Sequence, residues 1–339
     1  MSKPGSFGHY KGQDVGTVVL STASGMEARI IGHGAAIQSL KVPTKDGLRP
    51  VVLGFEHLDA YVANSHWHLG AVPGRVANRI GGGRFSVDGS EYQIPRNQDD
   101  RHTLHGGPDG FGTRVWTLAS CEQNAATLTL VSEDGDQGFP GRVIAAVTYD
   151  LIEPATLRIR YAATTDMPTP INLTNHAYFN LDGSGDILAH TLALEADFYT
   201  PTDAELIPTG EIAPVAGTAW DFTTERPFGF DTGDGLFHYD ANVVLRGSGG
   251  LTKAARMVSS KRDLALETWT TEPGLQVFDA ATLALSAPGL GGAIYRPRAG
   301  FCLEPQIFPD AINKPHFPDC ILRPGEAYSH TTEYRFAPL

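Results

Sequence analysis

The chain has 339 residues, 41% of them hydrophobic and 19% charged, enough to bury a large core without disulfides or a structural metal. A formal net charge of −12 argues against nucleic acid and anionic membrane as partners and favours a neutral ligand. Three cysteines with no Cys-x-x-Cys spacing are no disulfide framework, and no apolar run reaches the length of a spanning helix.

In chain order the pattern is short and strand-like. The N-terminal residues carry no apolar leader segment, so the cytoplasm is the expected address. Residues 17–22, 28–32 and 36–42 are β-branched runs bounded by Gly, Lys or Pro and read as strands. The best helix signal is 56–64. Residues 84–87 and 90–94 flank Asp88-Gly89, a pair that supplies the positive φ angles of a type I′ turn, so a hairpin is predicted. Further strands are predicted at 126–132, 143–152 and 156–164, the last two closing a hairpin across Glu153-Pro-Ala. Gly (38) and Pro (23) suit many turns and few helices. With no internal repeat and no linker, the expectation is one all-β domain, a large antiparallel β-sandwich carrying its ligand site on a concave sheet face.

Three segments concentrate polar groups. If residues 170–183 are strand-like, Asn172, Thr174 and His176 share a face with Tyr178 and Asn180, a polar stripe suited to a polyhydroxylated ligand; a solvated edge strand fits the same pattern. Glu304 follows an apolar run and precedes Pro305; apolar flanks raise a carboxyl pKa and make a better base near neutral pH, whereas a surface strand end is the plainer alternative. Cys302, two residues earlier, reads as a small buried thiol. Residues 74–84 are Gly-rich but lack the Lys-Ser/Thr of a phosphate loop; Asn78 and Arg79 are suited instead to forking onto hydroxyls. His105 precedes two glycines, where backbone approaches a ligand closely. His66-Trp-His68 puts two imidazoles on one face if it is a strand, yet no recognised metal-ligand spacing is present, so no metal is expected.

Taken together, the strings Gly74-Arg-Val-Ala-Asn-Arg-Ile80, Leu104-His-Gly-Gly107, Asn172-Leu-Thr-Asn-His-Ala-Tyr-Phe-Asn-Leu181, Tyr239-Asp-Ala-Asn-Val-Val-Leu245, Gly274-Leu-Gln-Val-Phe278 and Leu303-Glu-Pro-Gln-Ile-Phe-Pro-Asp-Ala-Ile-Asn313 resemble the aldose 1-epimerase (galactose mutarotase) family in content and order. The loop 135–141 is similar too. The resemblance implies a large antiparallel β-sandwich that interconverts the α and β anomers of free aldoses, chiefly galactose and glucose, without a cofactor. It implies His176 as catalytic acid and Glu304 as base, with Asn78, Arg79, His105, Tyr178, Asp240 and Gln276 binding substrate. A bell-shaped pH profile is then expected, its acidic limb from Glu304 and its basic limb from His176. Arg75 and Arg84 join Arg79 as basic residues near the motif. Pro73 and Ala241 depart from the family pattern and are expected to reshape the pocket rim. A sugar-phosphate epimerase and a non-catalytic sugar-binding protein are the alternatives, and a monomer or weak homodimer is expected.

Overall fold

The computed structural model describes residues 4–247 and 249–339. Short strands dominate because the chain alternates apolar and polar residues and seldom runs long without Gly or Pro. Among the described residues the one α-helix, Leu58–Ala63, falls inside the predicted 56–64. None is long and apolar enough to cross a membrane.

Three antiparallel sheets carry the architecture. The first orders Gly5–Tyr10, Gln13–Ser21, Glu27–Ile31, Ile37–Thr44 and Gly47–Pro50 as a meander. A nine-stranded sheet begins with Thr117–Cys121, Ala125–Ser132, Val143–Ile152 and Thr156–Thr165. The C-terminal strand Tyr328–Pro338 then inserts between Thr156–Thr165 and Leu264–Thr270, so the last residues of the chain sit mid-sheet. A third sheet orders Ala213–Pro214, Ala196–Tyr199, Asp240–Leu245, Gly274–Phe278 and Cys302–Gln306. One buried cluster takes Val18 and Leu20 from the first sheet, Val147 and Ile159 from the second, and Val243 and Leu303 from the third. Both predicted hairpins form: Val87 pairs with Ser90, with Asp88 and Gly89 at φ +50° and +83°, and Ile152 pairs with Thr156.

The third sheet positions the site. Asp240 pairs with Phe278 and Phe278 with Cys302; Asn242 pairs with Gln276 and Gln276 with Glu304. Directly opposed residues share a face, so Asp240, Asn242, Gln276, Phe278, Cys302 and Glu304 look one way. The intervening Ala241, Val243, Leu275, Val277 and Leu303 enter the core.

Residues 172–181 are not the strand the polar stripe assumed. The segment is buried throughout and pairs only through isolated bridges, Val76 with Asn172 and Phe179 with both Val52 and Phe301. Its side chains therefore serve several neighbours rather than one ligand face. Asn172 exchanges both amide hydrogen bonds with the backbone of Ile307, and Asn180 donates to the carbonyl of Ala299.

Candidate active site

Asn78, Arg79, His105, His176, Tyr178, Asp240, Gln276 and Glu304 all line one cavity of about 260 Å³. The eight residues come from six separate parts of the chain. Asn78 (φ +63°) and His105 (φ +53°) hold left-handed backbone conformations, which a non-glycine residue keeps only when its surroundings enforce it. The constraint is visible: the backbone N–H of Asn78 donates to His105 Nδ1 at 3.1 Å, and that of His105 to the Asn78 carbonyl at 2.9 Å. Gly106, at φ +84°, lies so close to Gly74 that a Cβ would fall 1.9 Å from the Gly74 carbonyl oxygen. With Nδ1 of His105 accepting, the neutral ring carries its proton on Nε2.

Arg79 is anchored on both sides. Its Nε donates to Gln98 at 2.8 Å, and its guanidinium lies 3.6 Å from Asp240. Gln276 donates to the other Asp240 oxygen at 2.6 Å. Arg79 is the one guanidinium among the cavity-lining residues. Arg75 and Arg84 are not at the rim. Arg75 is 1% exposed and spends its guanidinium on the carbonyls of Pro140 and Gly141 and the hydroxyls of Ser132 and Thr169. Arg84 is exposed and donates to Gln93.

At the cavity floor, His176 Nε2 lies 3.8 Å from Glu304 Oε1, with both side chains buried. Glu304 Oε2 and Gln276 Oε1 are buried without a hydrogen-bond partner. Removal from water, with Asp240 nearby, pushes the Glu304 carboxyl well above its ordinary range, against a smaller opposing pull from Arg79. Burial drives His176 the other way, to about 4. His176 packs face to face on Tyr178, ring centres 5.0 Å apart, and edge-on against His105 at 5.3 Å. The Tyr178 hydroxyl donates to the Trp67 carbonyl, so this residue presents its ring to the cavity rather than a free hydroxyl.

His176, Cys302 and Glu304 place one donor atom each within 4.8 Å of one another. They do not converge as a ligand set. Cys302 Sγ faces Nδ1 at 3.4 Å while the carboxylate faces Nε2, on the opposite edge of the ring. Burial also holds the Cys302 thiol well above its usual pKa, so the thiolate that a metal prefers is disfavoured. His66 and His68 do not share a strand face either. Ser65–Trp67 is a 3-10 turn, His66 is exposed at the cavity mouth, and His68 turns left-handed into the interior. There His68 packs against His105 at 4.6 Å, and burial lowers it to about 3.

Neither departure from the family pattern touches the rim. Ala241 lies on the core face of its strand, and Pro73 is buried outside the cavity lining. Sequence reasoning missed Trp67, Gln98, Leu206, His238, Phe278 and Thr282, which also line the wall. Two of these were accessible from alternation, since His238 precedes Asp240 by two residues and Phe278 follows Gln276 by two.

The aldose 1-epimerase family profile matches residues 16–335. The chain belongs to the aldose 1-epimerase family. It is 43% identical to human galactose mutarotase over 314 residues, covering 91% of this chain and 90% of that protein. It is 37% identical to aldose 1-epimerase of Escherichia coli, covering 96% of both. A crystal structure of an aldose epimerase homologue from C. elegans superimposes with a TM-score of 0.91 at 32% identity, over 96% of this chain and 99% of that one. The chain is therefore an isomerase acting on aldose anomers.

Proposed function

We propose that the protein interconverts the α and β anomers of free aldoses, galactose and glucose foremost, with Glu304 as base and His176 as acid. The observation that carries the assignment is the buried, unpartnered Glu304 oxygen beside an imidazole whose Nε2 is 3.8 Å from the same carboxylate. Anomeric hydroxyl and ring oxygen are bonded to one carbon, so acid and base must reach neighbouring points. The pair meets that requirement although it comes from segments more than a hundred residues apart.

Glu304 takes the proton of the anomeric hydroxyl as the C1–O1 bond becomes a carbonyl. The C1–O5 bond breaks, and its electron pair on O5 takes a proton from His176 Nε2. Rotation about C1–C2 presents the other carbonyl face, and the reverse transfers close the ring as the other anomer. The acting acid is the doubly protonated imidazole: Nε2–H faces the Glu304 side and Nδ1–H faces the Cys302 sulfur at 3.4 Å, so loss of the Nε2 proton to O5 leaves a neutral ring. Arg79, Asp240, Gln276 and His105 hold the remaining hydroxyls, which converts binding into orientation. The closed surroundings strengthen each of these polar contacts by excluding water.

A free sugar suits the wall better than a sugar phosphate. Arg79 is already neutralised by Asp240, whose carboxylate would repel a phosphate group. Polarimetry on freshly dissolved α-D-glucose and α-D-galactose, with their 6-phosphates alongside, tests the proposal. Faster decay of optical rotation with the free sugars is expected; equilibration of every free aldose at the buffer rate overturns it.

A further inference from the structure

His238 stands at the mouth of the cavity, and the mechanism leaves it without a task. Its imidazole is 38% exposed, lines the cavity and packs edge-on against Phe278. It is nevertheless held firmly. Nδ1 lies 2.6 Å from Asp279 Oδ1, and Asp279 is 1% exposed. The same carboxylate oxygen accepts the backbone N–H of Ala281, and the other lies 3.3 Å from Arg298 Nε. A buried carboxylate so surrounded is a fixed acceptor, so Nδ1 is the donating nitrogen and Nε2 is the one left for a ligand. Asp279 also raises the imidazole's proton affinity, which favours Nε2 as a donor.

The register places this group far from the reacting carbon. Glu304 aligns with Gln276 and Asn242 across the sheet, and His238 lies four residues beyond Asn242 towards the mouth. Two strand spacings across and the two residues from Asn242 to Asp240 separate the backbones of Glu304 and Asp240 by roughly 12 Å, and His238 precedes that strand by two residues. With both side chains reaching inward, a sugar whose C1 meets Glu304 turns its opposite end towards His238. On the assignment of Glu304 and His176 above, the side of the ring away from C1 is the C4–C5 edge, and C5 bears the hydroxymethyl group that distinguishes an aldohexose from an aldopentose.

We infer that His238, oriented by Asp279, is a specificity-determining residue that hydrogen-bonds the hydroxymethyl end of an aldohexose through Nε2. Asp279 is the positioning residue and Arg298 fixes Asp279. The sugar chemistry recognised is thus a hexopyranose over the pentopyranose of the same ring configuration. The contact is remote from the bonds that change, so it acts on binding and leaves the proton transfers alone.

Two sugar pairs test this because each differs only by that group: D-galactose with L-arabinose, and D-glucose with D-xylose. In His238→Ala the hexose KM should rise about tenfold, the scale of one lost hydrogen bond, with kcat within about twofold and the pentose KM values unchanged. His238→Gln, which keeps a donor, should recover part of the hexose preference. Asp279→Asn should raise the hexose KM and spare the pentoses. Thermal melts confirm that each variant is folded. Equal KM changes for hexose and pentose, a loss confined to kcat, or no change in His238→Ala would overturn the inference. If the wild type accelerates no sugar, the catalytic assignment fails separately. The same four sugars titrated calorimetrically then decide the His238 question from binding alone, where equal affinities for hexose and pentose in wild type overturn it.

Discussion

Glu304→Gln keeps the shape of the side chain and removes the one group assigned to accept the anomeric proton. The side chain is 2% exposed, so no solvent base replaces it. A general base contributes about 10²–10⁴ in rate, or about 3–5 kcal/mol of barrier at ~1.4 kcal/mol per decade. Arg79, Asp240, Gln276 and His105 still hold the sugar, so the loss should fall on kcat with a much smaller change in KM. The pH profile adds a sharper signature. Burial raises Glu304 and lowers His176 to about 4, so between those two values the resting pair carries one proton, on the carboxyl. The reactive arrangement carries the same proton on the imidazole. The bell is retained but its limbs exchange owners relative to the ordinary order. The acidic limb, near 4, follows His176, and the alkaline limb follows Glu304, both being properties of the coupled pair. In Glu304→Gln the alkaline limb should vanish. Stability moves the opposite way to activity. A carboxyl whose folded pKa is raised contributes stability that is complete below its unfolded value of 4.5 and is lost as pH rises through the folded value. Glutamine has no such loss, so the variant should gain on the wild type in thermal melts as pH rises above 4.5. Polarimetric kcat/KM and melting curves over the same pH series measure both effects. Near-wild-type turnover, or an alkaline limb that survives in the variant, would refute the assignment.

His176→Asn should lower kcat by a comparable two to four decades, and the double variant with Glu304→Gln should lose far less than the product of the two, because each needs the other; multiplicative losses would contradict a coupled pair. Arg75→Lys should destabilise the fold by at least about 1.5–3 kcal/mol through lost hydrogen bonds to the 132–141 loop, while the folded fraction keeps its KM; a selective KM change would return Arg75 to the ligand site. Gly106→Ala should lower both melting temperature and activity, since its Cβ collides with the Gly74 carbonyl beside His105; an unperturbed variant would contradict that close approach. Exhaustive dialysis against a strong chelator should leave turnover unchanged, because the His176, Cys302 and Glu304 donors face different edges of the ring; loss of activity restored by one added metal would overturn this.

Much of the fold was legible because alternation has a physical cause. Residues 240–242, 274–278 and 302–306 alternate polar with apolar, and a pleated strand sends these to opposite faces. In the folded sheet this sets Asp240, Gln276 and Glu304 on one face and sends Ala241 to the core, not to the pocket rim where the sequence reading expected it. Asp88-Gly89 specified its hairpin through the φ angles it tolerates. The polar stripe at 172–181 misled for a related reason. Residues of a buried irregular segment hydrogen-bond whichever backbone lies nearest, so Asn172 and Asn180 cap neighbouring chain while His176 and Tyr178 reach the cavity.

Local pattern and ordered motifs by themselves determined several of the strands, the family and the two residues proposed to exchange protons with a sugar. Tertiary structure alone decided that Arg75 turns inward, that His68 packs behind the site away from His66, and that Asp279 aims His238. It also decided the protonation order of the central pair. A pKa responds to burial and to charges within a few ångströms, and for Glu304 those are Asp240 and Arg79, brought alongside only when distant segments of the chain close around one cavity.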